Sequence, residues 1–226
     1  MSLRLLVLRV PVRIHLSFFT VIALFGFVFF LQGADPDGLA MFAAWIPCST
    51  FAMLSHELGH AFIGRAFGLS PRVLVHGLGG ATAFSTDALR KLTHGKRALV
   101  ALAGPAVGVG LGLLAFVAER SLALPPESVP KRTLTLFFWL SCGWGVVNLL
   151  PVLPLDGGQV VAALLDRATG GRGLAWARRS SVALGLLCAG FGVHAAELYL
   201  LALGLFIAAM NAWASLATRP GRTLPD

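Results

Sequence analysis

A histidine-containing pentapeptide is the part of the sequence best suited to chemistry. It reads His56-Glu57-Leu58-Gly59-His60, an H-E-x-x-H pattern. On a helix, positions i and i+4 share a face, so both imidazoles can bind one metal ion while the glutamate accepts a proton beside it. The alternative is a satisfied polar patch in a core. The flanking sequence is strongly apolar, and ionisable groups buried in a membrane are costly unless they are functional. The pattern therefore favours a metal site.

A catalytic zinc site usually has three protein ligands, and Asp156 is the best candidate for the third. It lies in residues 148–158, where two prolines interrupt an apolar run and two glycines follow the aspartate. A broken helix can aim a carboxylate at a partner. Capping of the next helix is an alternative role, and it is compatible with metal binding because a carboxylate has two oxygens. The competing acid, Asp166, stands beside Arg167, which predicts a solvated loop charge.

The composition indicates that these residues belong to a polytopic membrane protein. Apolar residues make up 57% of the 226 residues, charged residues make up 12%, and the mean hydropathy is +0.80. Soluble domains carry about twice that share of charge. This excludes an ordinary cytosolic enzyme, a disordered regulator and a coiled coil. The net charge of +8 does not indicate nucleic-acid binding, since the basic residues lie at the ends of apolar runs.

Apolar runs of about 20 residues predict an all-α fold with about six transmembrane helices. The runs are 15–32, 39–67, 98–118, a stretch from 133 that breaks at 151–154, 182–194 and 197–217, with a short helix over 157–168. The loop charges predict that both termini are cytoplasmic. Only Arg120, Lys131 and Arg132 then lie on the far side, and all other basic residues, including Arg219 and Arg222, lie on the cytoplasmic side.

Two segments predict a small membrane-associated β-structure. Residues 5–14 alternate loosely and contain Pro11, which is typical of an edge strand. Residues 71–85 contain β-branched residues and the pair Gly79-Gly80, which favour a hairpin. Such backbone is tolerated at membrane depth only when it is buried in protein or lines a cavity.

Together these motifs resemble the site-2 protease family, zinc metalloproteases that cut other proteins inside the membrane. The resemblance rests on H-E-L-G-H, on N-x-x-P-x-x-P-L-D-G-G over residues 148–158, on Ala103-Gly104-Pro105, on P-V-R-I-H before the first span and on G-L-G-G-A-T-A-F in the hairpin. It implies that His56, His60 and Asp156 bind one zinc ion per chain and that Glu57 is catalytic.

The resemblance also suggests how substrate is held. Asn148 matches the family's substrate-orienting asparagine, although its position alone fits a plain helix end equally well. Gly79 and Gly80 match the Gly-rich loop that receives the unwound substrate as an added strand. We expect the compact form of the family, without a PDZ or CBS domain. This would be one transmembrane protease domain over 1–226, with a strand and first helix in 1–32, a core in 39–168 and C-terminal helices in 182–217.

The expected function is hydrolysis of peptide bonds within or near transmembrane segments. Zinc would activate water, and Glu57 would act as general base and then general acid. The expected partners are the lipid bilayer, a single-span membrane protein as substrate and a regulatory membrane protein, with no nucleic acid. Two alternatives stay open. A catalytically silent zinc-binding scaffold is disfavoured by the intact Glu57, and a metal transporter would need further intramembrane ligands along a path.

Overall fold

A computed structural model describes residues 1–32 and 36–217, and it is mostly helical with one small sheet. The strands are β1 (Ser2–Val7), β2 (Val10–His15), β3 (Arg72–His76) and β4 (Gly79–Ala83). The helices are α1 (Leu16–Gln32), α2 (Pro36–Ala66), α3 (Thr86–Arg90), α4 (His94–Ser121), α5 (Val129–Phe138), α6 (Trp144–Asn148), α7 (Asp156–Thr169), α8 (Gly173–His194) and α9 (Leu198–Ala217), with a π-helical turn, Trp139–Gly143, between α5 and α6. This confirms the predicted class of fold, a helical protein with a small sheet.

Three of the described helices are long and apolar enough to cross a membrane. They are Asp37–Ala66, His94–Ser121 and Leu198–Ala217, and Leu16–Val28 forms a shorter apolar helix. The predicted number of six spans is not confirmed. The fourth predicted run is divided among α5, the π-helical turn and α6. Arg219 and Arg222, which entered the predicted orientation, lie outside the described residues.

The chain forms two compact units. The first contains Met1–Leu92 and Leu102–Val147, and the second contains Thr93–Ala101 and the chain from Asn148 onward. The first unit thus holds the sheet and α2, and the second holds α7, α8 and α9. Whether one protease domain spans the whole chain stays a prediction.

The sheet of the first unit has the order β1-β2-β3-β4, with β2 parallel to β3 and the two outer pairs antiparallel. Alternate side chains of β2 point inward, as the period of a strand requires. They join a buried cluster with residues from β3, α1 and α2, namely Val10, Val12, Ile14, Phe18, Ile22, Ala61, Val73 and Val75. This cluster holds the sheet against the membrane helix that carries the H-E-x-x-H pattern.

The predicted β-structure near the N-terminus is present, but residues 5–14 belong to two strands, of which only β1 lies at an edge of the sheet. The chain turns at Leu8 and Arg9, both with positive φ, so that β1 and β2 form a hairpin and β2 lies inside the sheet. Pro11 is tolerated there because β2 pairs with β3 only from Val12 to Ile14. The predicted hairpin over 71–85 is confirmed by the antiparallel pair of β3 and β4.

Glycines on α4 let this helix approach the π-helical turn closely. A β-carbon at Gly112 would lie 2.5 Å from the Cys142 β-carbon, and one at Gly108 would lie 3.0 Å from the Ser141 carbonyl oxygen. The Ser141 hydroxyl donates to the Gly108 carbonyl at 3.0 Å. The π-helical turn is thereby fixed to α4.

In the second unit, α8 and α9 hold the loop that precedes α7. The Leu153 amide donates to the Ser181 hydroxyl at 2.9 Å, and the Asn211 side-chain amide donates to the Leu153 carbonyl at 2.8 Å. All three residues are buried. Both polar groups of the Leu153 backbone are therefore satisfied inside the unit, which fixes the chain three residues before Asp156.

Candidate metal centre and active site

The H-E-x-x-H residues lie on α2, a 31-residue helix. His56, Glu57 and His60 are only 3%, 5% and 6% exposed. The Nε2 atoms of the two imidazoles are 3.2 Å apart, because residues one turn apart on a helix stack on one face. Both rings thus present a ligand nitrogen to the same place.

Two glycines make room for the second imidazole. A β-carbon at Gly59 would lie 2.6 Å from the Ala103 carbonyl oxygen, so the backbones of α2 and α4 are nearly in contact. A β-carbon at Gly104 would collide with Nε2 of His60. Gly104 belongs to the Ala103-Gly104-Pro105 motif, and the structure supplies a reason for that glycine.

The Glu57 carboxylate lies against strand β4. The Thr82 hydroxyl is 2.7 Å from Oε2 of Glu57 and 2.9 Å from the Glu57 carbonyl oxygen. A β-carbon at Gly80 would lie 2.5 Å from Oε1. The sequence analysis did not identify Thr82 as a site residue. Its position two residues after Gly80 could have indicated it, because residues two apart on a strand point to the same face.

Asp156 is the first residue of α7 in the second unit, and it is half-buried. Leu155, rather than Asp156, occupies the N-cap position of this helix. The two following glycines are required by packing. A β-carbon at Gly157 would collide with the Leu149 and Leu150 carbonyls, and one at Gly158 would lie 2.5 Å from the Leu153 amide nitrogen.

Asp166 is not the solvated loop charge that its neighbour suggested. It lies in the last turn of α7, and its Oδ2 is 2.8 Å from the Arg97 guanidinium. Its Oδ1 accepts a hydrogen bond from the Gly173 amide at 2.6 Å, where α8 begins. Its partners are distant in sequence, and Asp166 has a structural role in the second unit.

The predicted substrate residues have defined positions. Asn148 is the last residue of α6 and is buried. Gly79 begins β4 with φ of +129°, a conformation that favours glycine, and open space surrounds the position of a β-carbon. Gly80 lies against Glu57, as described above. Their contact with a substrate stays a prediction.

The chemistry of the donors fits a zinc ion. Among the described residues, the first unit offers the two buried imidazoles of His56 and His60, and the second unit offers the half-buried carboxylate of Asp156. Imidazole nitrogen and carboxylate oxygen are common zinc ligands, and three of them leave one position for water or substrate. Burial without a cation would be costly for such a set.

Comparisons with known proteins agree with this assignment. The sequence model of Peptidase family M50 matches residues 126–188, which include Asn148 and Asp156. A protein named zinc metalloprotease from Methanocaldococcus jannaschii is 24% identical over 91% of this chain and 58% of its own length. The putative zinc metalloprotease Rip3 of Mycobacterium tuberculosis is 34% identical over 68% of this chain and 36% of its own length. This chain thus spans between about a third and three fifths of these two relatives.

A solved structure has the same fold. The site-2 protease from Methanocaldococcus jannaschii matches with a TM-score of 0.62 at 19% identity, over 100% of this chain and 99% of that chain. The helices, the sheet and the motifs define the class, a membrane-embedded protein with a metalloprotease motif. The chain belongs to Peptidase family M50, the site-2 proteases.

Proposed function

We propose that this chain is an intramembrane zinc metalloprotease of the H-E-x-x-H type. The observation that carries the proposal is the geometry on α2. Two imidazole Nε2 atoms 3.2 Å apart flank a buried carboxylate, on a helix long and apolar enough to cross a membrane. Its relatives are named zinc metalloproteases. The substrate class is a single-span membrane protein, cut within or near its transmembrane segment.

The proposed zinc ligands are His56, His60 and Asp156, with one ion per chain. When bound, zinc would supply a Lewis acid that activates water and polarises the scissile carbonyl. Asp156 is suited to this role because its helix starts at the aspartate and because α8 and α9 fix the preceding loop. Rigid support of a ligand raises metal affinity, since less freedom is lost on binding.

Glu57 is proposed as the general base and acid. Glu57 is 5% exposed, and its carboxylate is held by the Thr82 hydroxyl, which gives it a defined position against β4. It would take a proton from the attacking water and then give it to the leaving amine. A positioned acid or base of this kind contributes about 10²- to 10⁴-fold to a rate.

The sheet offers a place for the substrate. A transmembrane helix bonds its own carbonyls, so a segment must unwind before it can be attacked, and helix-weakening residues in the substrate lower that cost. Strand β4 lies at one edge of the sheet and contains Gly80 beside Glu57. The proposal is that an unwound segment adds to this edge by strand addition, with Asn148 holding it by its amide.

The proposed arrangement in the membrane has six spans and cytoplasmic termini. Its support is the distribution of basic residues and the pairing of β2 with β3 in one sheet. Helices α1 and α2 connect these two strands. The chain leaves the sheet through α1 and returns to it through α2. This path fits two spans that cross the membrane in opposite directions. A regulatory membrane partner remains part of this proposal.

The variant Glu57→Gln tests the proposed function. Purified protein in proteoliposomes would be mixed with a tagged single-span protein whose span contains Gly, Pro and Asn. We expect cleavage by the wild type, loss of at least about 100-fold in Glu57→Gln, and equal zinc content in both. Glu127→Gln, at an exposed position, is the matched control. Normal turnover by Glu57→Gln would remove Glu57 from the mechanism.

The same preparation separates the alternatives. In cells, the Glu57→Gln variant would retain candidate substrates, and these proteins can be tested in the same assay. If the wild type binds zinc but cleaves neither them nor the tagged protein, it is a silent scaffold. Zinc flux into the liposomes without cleavage would indicate a transporter. Cleavage with stoichiometric zinc and no flux supports the protease.

A further inference from the structure

Strand β4 carries a hydroxyl that reaches the proposed catalytic carboxylate. We propose that Thr82 is a positioning residue for Glu57, and that Gly80 provides the space in which the carboxylate is held. The inference rests on the proposed function, because it assigns a role in the same site. It also links β4, the strand to which the substrate is proposed to add, with α2, the helix that carries Glu57.

The direction of the Thr82 side chain follows from the strand register. Thr82 pairs with Val73 and Gly80 pairs with Val75 across the antiparallel ladder. Opposed residues in such a ladder point to the same face of the sheet. Val73 and Val75 are almost completely buried in the cluster that includes Ala61 of α2. Thr82 and Gly80 therefore face α2, and Glu57 is the residue they meet.

One hydroxyl serves two acceptors of the same residue. The Thr82 oxygen lies 2.7 Å from Oε2 and 2.9 Å from the main-chain oxygen of Glu57. It thus connects the backbone of Glu57 with the end of its side chain and restricts the rotamers between them. A β-branched residue suits this task, since its own χ1 is restricted.

Gly80 confines the other side of the carboxylate. A β-carbon there would lie 2.5 Å from Oε1, 2.7 Å from Cγ and 2.8 Å from Cδ of Glu57. Any other residue would push the whole carboxylate away from β4 and from the Thr82 hydroxyl.

The experiment compares Thr82→Val, Thr82→Ser and Thr50→Val in the single-span cleavage assay. Valine keeps the shape of threonine without its hydroxyl, and misplacement of a reacting group by about 1 Å costs about 100-fold. We expect Thr82→Val to lower kcat by about 10- to 100-fold with KM and zinc content within about twofold. Thr82→Ser should restore kcat to within about fivefold, because the hydroxyl returns. Thr50→Val is the control, since Thr50 lies on α2 and donates to the Ile46 carbonyl instead.

A second measurement does not depend on turnover. The melting temperature of the zinc-loaded protein is measured for Thr82→Val, Glu57→Ala and the double variant. We expect Thr82→Val to lower it less in the Glu57→Ala background, because only the neutral carbonyl acceptor remains there. Additive shifts would overturn the contact, and a wild-type kcat in Thr82→Val would overturn the positioning role. If the wild type cleaves nothing, the proposed function fails, and the melting cycle still decides whether Thr82 holds Glu57.

Discussion

Replacement of Gly104 by alanine should abolish tight zinc binding while the protein remains folded. The added methyl group would overlap Nε2 of His60 and lie 2.6 Å from Cε1 and 2.7 Å from Cδ2 of the same ring. Moving α2 and α4 apart to relieve this overlap would break the close packing of Gly59 against the Ala103 carbonyl. The imidazole must therefore rotate away from its position beside His56.

The size of the effect follows from the loss of one of three proposed ligands. Disturbing a group that only orients a ligand costs about 10- to 100-fold in metal affinity. Displacing the ligand itself should cost at least about 100-fold, which corresponds to about 3 kcal/mol. The overpacking adds about 1–3 kcal/mol of destabilisation if the ring cannot move completely.

The assay is zinc competition against a chromophoric chelator, with the purified protein in detergent. Gly110→Ala is a matched control on the same helix, since nothing lies within 4 Å of a β-carbon at that position. Circular dichroism of the metal-free variants checks that both are folded. A Gly104→Ala variant that binds zinc within about twofold of the wild type would refute the placement of His60 against α4.

Two further predictions concern the second unit, and thermal unfolding in detergent measures both. Asn211→Leu removes the donor to the buried Leu153 carbonyl and should lower the free energy of unfolding by about 1–3 kcal/mol. Zinc binding should also weaken, because the loop before Asp156 is held less firmly. Unchanged stability and zinc affinity would contradict this role. Asp166→Ala should lower the free energy of unfolding by about 1–2 kcal/mol, mostly because the hydrogen bond from the Gly173 amide is lost. The ion pair with Arg97 should contribute less, since the Arg97 side chain is 26% exposed and solvent screens the pair. Asp166→Asn keeps an acceptor for that amide and should recover more than half of the loss, and equal losses in the two variants would point instead to the ion pair.

The positions of the chemical groups on α2 were predictable because they depend on local periodicity. Residues four apart on a helix share a face whatever the rest of the chain does, so His56 and His60 had to be neighbours if their segment was helical. The hairpin of β3 and β4 was predictable for a similar reason, because β-branched residues and the pair Gly79-Gly80 lie close together in the sequence.

Features that depend on distant partners were not predictable in this way. Asp166 bonds to Arg97, which lies 69 positions earlier, so its sequence neighbour Arg167 was misleading. The hairpin of β1 and β2 turns at Leu8 and Arg9 without the glycine or asparagine that usually indicates such a turn. The contact of Thr82 with Glu57 likewise depends on packing of β4 against α2.

The parallel pairing of β2 with β3 sets an order of events during synthesis. Val12 pairs with Val73, and both α1 and α2 lie between them. The ladder cannot close until these helices have been made and the second hairpin has left the ribosome, since distant contacts form only after the intervening chain is in place. Thr82 follows Val73, so the nascent chain acquires the histidines well before the carboxylate of Glu57 is aligned.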